Sequence, residues 1–238
     1  MNLVAISLDL DDTLWPILPV IERADQRLHD WMLLHCPRAA RAWPVAAMRD
    51  LRERIASENP ELAHDFSAQR RLSLRCALQP HGYDETHVEA AFAAFYAARN
   101  EVECFPDVVP ALERLAKRFI LVSVSNGNAD LQRIGLSRLF RFSVSAREFG
   151  MGKPAPQIFL AACTRLGLSP RQVLHVGDDP HLDVAGARSA GLRSAWLNRT
   201  GAAWKQPKLP DLSVRDLAEL ADALDTMEHA APAQQKLA

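Results

Sequence analysis

A doubly wound parallel α/β sheet interrupted by a helical insert is the fold this sequence predicts, and three observations predict it. Apolar runs at 5–8, 119–125 and 173–177 each stop abruptly at a polar or acidic group. From Phe105 to Leu197 short strand-like runs alternate with helical stretches, the rhythm of a parallel sheet with crossover helices. Between Trp15 and Val102 only helical periodicity is left.

The first strand, Ala5-Ile6-Ser7-Leu8, runs straight into Asp9-Leu10-Asp11-Asp12-Thr13-Leu14. Strand alternation puts Asp9 and Asp11 on one side where the strand ends. Carboxylates held that close repel, and a bound cation or a proton on one of them relieves the repulsion. At the carboxyl end of a parallel strand, where open α/β sheets take their ligands, such a pair points to metal-assisted chemistry. The bland alternative is a solvated acidic turn that caps the next helix.

Helices follow. Val20, Ile21, Ala24, Leu28, Trp31 and Met32 recur at helical spacing, as do Val45, Met48, Leu51 and Ile55, and Pro37, Pro44 and Pro60 divide the stretch. A third helix is expected over roughly Ser67 to Leu78, ended by Pro80-His81-Gly82. A fourth starts near Asp84 as N-cap and buries Val88, Ala91, Phe92, Phe95 and Tyr96. Four amphipathic helices with short connections predict an antiparallel bundle. The expected division is therefore a core from residues 1–15 and 102–228, an inserted helical domain at 16–101, and a disordered tail at 229–238 with little to pack.

The core resumes near Phe105-Pro106-Asp107, with a helix from Val109 to Arg118 leading into the strand Phe119–Ser125 and then Asn126-Gly127. Gly152-Lys153-Pro154 supplies a fixed cation in a loop stiffened by proline. Val173-Leu174-His175-Val176-Gly177 is a third apolar strand, ending in Asp178-Asp179 with Asp183 about one helical turn further. A strand at Ala195-Trp196-Leu197 and a final helix from Val214 to Met227 close the core.

Taken in order, Asp9-x-Asp11-x-Thr13, Ser125, Lys153, and Gly177-Asp178 followed by Asp183 resemble the motifs of the haloacid dehalogenase superfamily, most of whose members are phosphatases. The likeness extends over the chain to about residue 200 and implies a Rossmann-like core whose helical insert is a cap over the active site. It implies Asp9 as the nucleophile that forms an aspartyl phosphate, and Asp11 as the group that protonates the leaving alkoxide and later takes a proton from water. The crowd of acidic neighbours is expected to hold Asp11 protonated at the start. The resemblance further implies Mg²⁺ held by Asp9, the Asp11 backbone carbonyl and Asp178, an oxygen-only set that suits a hard octahedral ion. Asp179 and Asp183 are expected to hold metal waters or Lys153 from behind. Ser125, Asn126 and Lys153 are expected on the phosphoryl oxygens, although Asn126 suits a turn before Gly127 equally well. His175 reads as a core histidine and His181 as structural. Arg70 and Arg71, on the third helix of the insert, are the cap residues to consider for recognising a second anionic part of the substrate; a solvated helix face is their ordinary role.

Leu8-Asp9-Leu10-Asp11-Asp12-Thr13-Leu14-Trp15, Ser125-Asn126-Gly127-Asn128-Ala129 and His175-Val176-Gly177-Asp178-Asp179 resemble one bacterial branch of that superfamily. That branch includes phosphatases acting on 5-amino-6-(5-phospho-D-ribitylamino)uracil and on flavin mononucleotide (FMN). The expected partner is thus a small phosphorylated metabolite. A haloacid dehalogenase shares the nucleophile but lacks the second carboxylate of the first motif, so Asp11 argues for phosphate chemistry. A phosphomutase shares the site. A phospho-receiver or other binding domain shares the fold, but in a receiver the acidic pair precedes the accepting Asp and no helical insert follows.

Composition sets the outer limits. A chain of 238 residues can bury a full core and a second small module. Its 28 basic and 29 acidic residues nearly cancel, so no general attraction to nucleic acid or to an anionic membrane is expected. The apolar start is too short and too acidic at its end for a signal peptide or a membrane span. Cys36, Cys76, Cys104 and Cys163 show no zinc-type spacing and suit a reduced, cytoplasmic compartment. A monomer or a homodimer is expected.

Overall fold

A computed structural model describes residues 3–230, the side chains of 227–230 excepted. Six strands form one sheet in the order β3-β2-β1-β4-β5-β6, every pair parallel. They are β1 (Ala5–Leu8), β2 (Ile120–Ser125), β3 (Ser143–Ser145), β4 (Val173–Gly177), β5 (Arg193–Leu197) and β6 (Leu212–Val214). The order reverses between β1 and β4, the crevice where doubly wound sheets bind ligands. Leu8 stands in register with Ser123 on one side and Val176 on the other. The next residue, Asp9, donates its N–H to Val176 O at 2.9 Å and so leaves the ladder at that crevice.

All four residues of β1 are buried because helices cover both faces, which is why the strand, Ser7 apart, reads as an apolar run. Ile6 and Leu8 pack with Leu112 and Leu115 of α6 (Val108–Ala116) and Leu217 and Leu220 of α11 (Leu217–Ala230). On the other face Ala5 packs with Ile158, Phe159 and Ala162 of α9 (Pro156–Leu166). Three single-turn helices complete the core: α7 (Leu131–Ile134), α8 (Ala146–Phe149) and α10 (Gly186–Ser189).

Between β1 and β2 lie α1 (Ile17–His35), α2 (Pro37–Ala42), α3 (Val45–Glu58), α4 (Phe66–Leu78) and α5 (Glu85–Arg99). Their apolar stripes meet in a separate cluster that includes Leu28, Met32, Leu51, Leu74, Phe92 and Phe95. Four of these helices are the expected ones; Pro37 starts the short α2 at its first turn, where a missing N–H costs nothing. Asp65 and Asp84 cap α4 and α5, accepting Ala68 N–H and His87 N–H.

Two expectations change. Val214 closes the edge strand β6, opposite Leu197, and the last helix starts at Leu217. A three-residue edge strand with one exposed side chain has too little alternation to be read from sequence. Of the expected tail, His229 and Ala230 still belong to α11, and 231–238 lie outside the described residues. Among the described residues no helix is long and apolar enough to cross a membrane.

Candidate active site

Asp9, at the end of β1, is 7% exposed and lies opposite the loop that carries Lys153. Lys153 Nζ donates to Asp9 Oδ1 at 2.5 Å and to Asp183 Oδ1 at 2.6 Å, so one ammonium bridges two buried carboxylates. Oxygens of Asp9, Asp178 and Asp183 come within 4.8 Å of one another. Three carboxylates against one ammonium leave the cluster short of positive charge. Burial raises the Asp9 carboxyl well above its usual range, Lys153 opposing and Asp183 adding to the effect. Burial also pushes Asp178 up to about 7, with the Asp183 charge contributing. Asp183 goes the other way: burial disfavours its charge, but Lys153 and His175 outweigh that and hold it ionised. Lys153 stays charged because Asp183 and Asp9 outweigh its burial.

Local structure sets each group. Asp183 lies in the π-helical turn Pro180–Ala185 and folds back on β4, its Oδ2 accepting Asp179 N–H at 3.0 Å. Gly177 permits this: a Cβ there would lie 2.2 Å from Asp183 Cγ. Asp178 is oriented by Thr13 Oγ1, which donates to its Oδ1 at 3.1 Å, and by Trp196 Nε1, which donates to its backbone O at 2.8 Å. His175 is buried, and burial keeps it neutral although Asp183 partly offsets the effect. Asp183 can only accept, so His175 Nε2 carries the hydrogen on that 3.1 Å contact and Nδ1 accepts from Ser7 Oγ at 2.9 Å.

Asp11 points elsewhere, into the seam between insert and core. Arg99, the last residue of α5 and 1% exposed, donates from Nη2 to both Asp11 oxygens at 2.8 Å. Trp15 Nε1 donates to Asp11 Oδ1 at 2.8 Å. Gly127 gives the pair room, since a Cβ there would lie 2.4 Å from Asp11 Oδ2. The acidic surroundings expected for Asp11 are therefore replaced by a guanidinium and an indole N–H. Sequence neighbours of Asp11 are acids; its spatial neighbours are donors. Beside it, a cavity of about 260 Å³ is lined by Asp11, Ile21, Arg70, Phe95, Arg99 and Asn128, among others.

The family model of haloacid dehalogenase-like hydrolases matches residues 3–191. This chain belongs to that family. The hydrolase is 30% identical over 224 residues to the 5-amino-6-(5-phospho-D-ribitylamino)uracil phosphatase YigB of Escherichia coli, covering 91% of this chain and 94% of that one. It is 35% identical over 164 residues to the phosphoserine phosphatase of Thermus thermophilus, covering 65% and 66%. A crystal structure described as 2-haloacid dehalogenase from Pseudomonas syringae pv. Tomato DC3000 superposes with a TM-score of 0.88 at 39% identity, covering 94% of this chain and 99% of that one.

Within the hydrolase, three of the expected residues, Asn126, Asp179 and Arg71, take other positions. Asn126 receives Lys153 N–H on Oδ1 at 2.7 Å and donates Nδ2–H to Lys153 O at 2.9 Å. Its amide thus anchors the lysine loop instead of facing a phosphoryl group. The Asp179 carboxylate caps its own turn through His181 N and Leu182 N, so only its backbone N–H serves Asp183. Arg70 is buried, stacked on Phe95 and paired with Asp25 at 2.9 Å; burial lowers it to about 10. It lines the cavity, whereas Arg71 turns away to Glu89 at 2.8 Å and the Phe92 ring. Ser125 ends β2 with its Oγ accepting Gly127 N–H at 3.0 Å, and His181 is exposed.

Two arginines escaped the sequence reading. Arg99 follows Phe92 and Phe95 on the buried stripe of α5, and a basic residue at a core position was the available signal. Arg199 clamps the loop after β1: Nε and Nη2 donate to Thr13 O at 3.1 and 3.0 Å, and Nη1 and Nη2 donate to Asp107 at 2.9 Å. A lone basic residue in a loop carries no such signal.

Proposed function

We propose that this hydrolase is a Mg²⁺-dependent phosphomonoester phosphatase that works through an aspartyl phosphate on Asp9. The cluster of Asp9, Asp178 and Asp183 around Lys153 carries the reading. Its donors are all oxygens, its charge is uncompensated, and burial disfavours the ionised forms of Asp9 and Asp178. Those properties fit a hard divalent cation held by Asp9 and Asp178, with the Asp11 backbone carbonyl as a further ligand and Asp183 behind. When bound, Mg²⁺ supplies positive charge that offsets the phosphate anion.

Asp9 attacks phosphorus and the bond from phosphorus to the leaving oxygen breaks, while Lys153 holds a phosphoryl oxygen. Ser125 Oγ and the N–H groups beyond Asp9 and Ser125 hold the others. Asp11 hands a proton to the leaving alkoxide, then takes one from the water that cleaves the aspartyl phosphate. Arg99 Nη2 donates to Asp11 Oδ2, and the second lone pair of that oxygen can take the proton. The insert acts as a cap that keeps bulk water out during the first step, with 16–19 and 102–106 as its hinges.

The leaving group sits in the cavity beside Asp11. At about 260 Å³ it holds about nine waters at ~30 Å³ each, below the usual range for larger ligands. Buried Arg99 Nη1, which has no acceptor, would bond a carbonyl or hydroxyl there. These features favour a small, acceptor-rich leaving group, and 5-amino-6-(5-phospho-D-ribitylamino)uracil over the tricyclic FMN. The E. coli relative supports that choice.

The Pseudomonas syringae structure favours a second reading, hydrolysis of a 2-haloacid on Asp9. One panel separates them: phosphorylated metabolites and 2-chloropropionate, each with Mg²⁺ and with EDTA. Stoichiometric phosphate release that EDTA abolishes is expected. Halide release that survives EDTA overturns the proposal, and phosphate passed back to substrate instead of to water makes the protein a mutase.

A further inference from the structure

A second cavity, of about 600 Å³, opens beside the amino-terminal ends of β4 and β5. Arg171, in the turn before β4, and Arg193, the first residue of β5, stand at the amino-terminal ends of those strands; Asp9 and Asp178 follow the carboxyl ends of β1 and β4. Arg188 of α10, Lys208 and Trp204 of the loop between β5 and β6, and Asp211 complete the part of the wall that matters here.

Four cations and one carboxylate line this cavity in a chain whose formal net charge is −1. The positive charge is concentrated there and does not reflect a basic protein. Asp211 offsets only one of the four cations, through its ion pair with Arg188. Its Oδ2 accepts Ser194 N–H at 2.8 Å and Ser194 Oγ–H at 3.2 Å, and lies 3.6 Å from Arg188 Nη1. Two donors on the same wall are buried without an acceptor, Arg188 Nε and Trp204 Nε1. Buried N–H groups without partners are uncommon and costly. Local positive potential, unsatisfied donors and a volume suited to a metabolite all ask for the same chemistry.

We propose that this cavity binds a multiply charged oxyanion, a small molecule bearing several phosphate or carboxylate groups, at a site separate from the catalytic one. Guanidinium groups recognise both oxyanions through paired N–H donors. The inference does not depend on which reaction Asp9 performs.

Calorimetric titration of the full chain with inorganic tripolyphosphate, and separately with citrate, in 0.1 M NaCl tests it. At least one of the two should bind with a single site, and the preferred one identifies phosphate or carboxylate as the source. Arg171 and Lys208 are exposed and remote from Asp9, so the double variant R171E/K208E should fold and hydrolyse p-nitrophenyl phosphate at the parental rate. Affinity in that variant should fall about tenfold or more, and the change in Trp204 fluorescence seen on binding, absent in W204F, should weaken in parallel. Binding that R171E/K208E leaves undiminished would place the anion at the catalytic centre and overturn the proposal. So would the failure of both anions to bind below millimolar concentration.

Discussion

The two carboxylates of the first motif sit two residues apart and live in different worlds. Asp9 has its partners, Lys153 and Asp183, inside the core, on elements that meet at the ends of β1 and β4. The Asp11 side chain, 22% exposed, depends on Arg99, which the insert delivers from the end of α5. The surroundings of Asp9 are complete without the insert. Those of Asp11 are not. On the proposed mechanism, the division assigns capture of a cation and phosphate to the core, and proton transfer to a site assembled only when insert and core are seated together.

The largest expected effect is at the core end. Asp9→Asn should leave no phosphate release above background, because a neutral amide cannot form the acyl phosphate. Asp11→Asn should lower turnover about 10²- to 10⁴-fold instead, the usual scale of general acid–base catalysis. With p-nitrophenyl phosphate, whose leaving group needs little protonation, Asp11→Asn should still be phosphorylated on Asp9 and fail to release it. Acid-quenched samples from ³²P-labelled substrate would show label retained on protein in Asp11→Asn and none in Asp9→Asn. Label on neither would remove the division of labour.

What the sequence made legible follows the same line. Asp9, Ser125 and Asp178 each sit at the end of an apolar strand run, so the polar residue that stops the run marks them; Lys153 and Asp183, in a loop and a helical turn, were legible from their place in the ordered motif set. The insert's helices were legible from periodicity and caps such as Asp65 and Asp84. Long-range pairings were not legible. Arg99 lies 88 residues from Asp11, and nothing near Asp11 announces a guanidinium. Asn126 has the composition of a phosphate-binding or turn residue, but its amide is satisfied by the Lys153 backbone 27 residues away. Buried polar side chains choose partners by geometry, and geometry is a property of the folded chain.

Arg99 offers the sharper test of the comparison. Arg99→Ala should reduce kcat about 10²-fold, because a displaced Asp11 no longer reaches the leaving oxygen, and should cost about 2 kcal/mol of stability. Arg99→Lys should restore part of the rate. Mg²⁺-dependent stabilisation should be unchanged in both, since the stability a bound ligand adds is set by its affinity and concentration and the Asp9, Asp178 and Asp183 cluster is untouched. A melting shift with Mg²⁺ that vanishes in Arg99→Ala would show that the two neighbourhoods are one.

The smallest effect lies where the core grips the loop just after Asp11. Asp107 accepts Arg199, which holds Thr13 O, and also accepts Leu217 N–H at the start of α11 at 2.9 Å. Burial disfavours its charge, but Arg199 and the Leu217 N–H outweigh burial and hold Asp107 below the usual carboxyl range. A depressed carboxyl pKa stabilises the fold above the unfolded value of ~4, and that contribution disappears as pH falls through the folded value. The melting temperature of Asp107→Asn should therefore lie slightly below that of the parent at pH 6, by the equivalent of about 1 kcal/mol or less. The gap should close as pH drops below ~4. Because Thr13 also orients Asp178, the same variant should weaken Mg²⁺ binding slightly while leaving the contact between Asp11 and Arg99 intact. A pH-independent gap would mean that Asp107 acts through its hydrogen bonds alone, with no contribution from its charge.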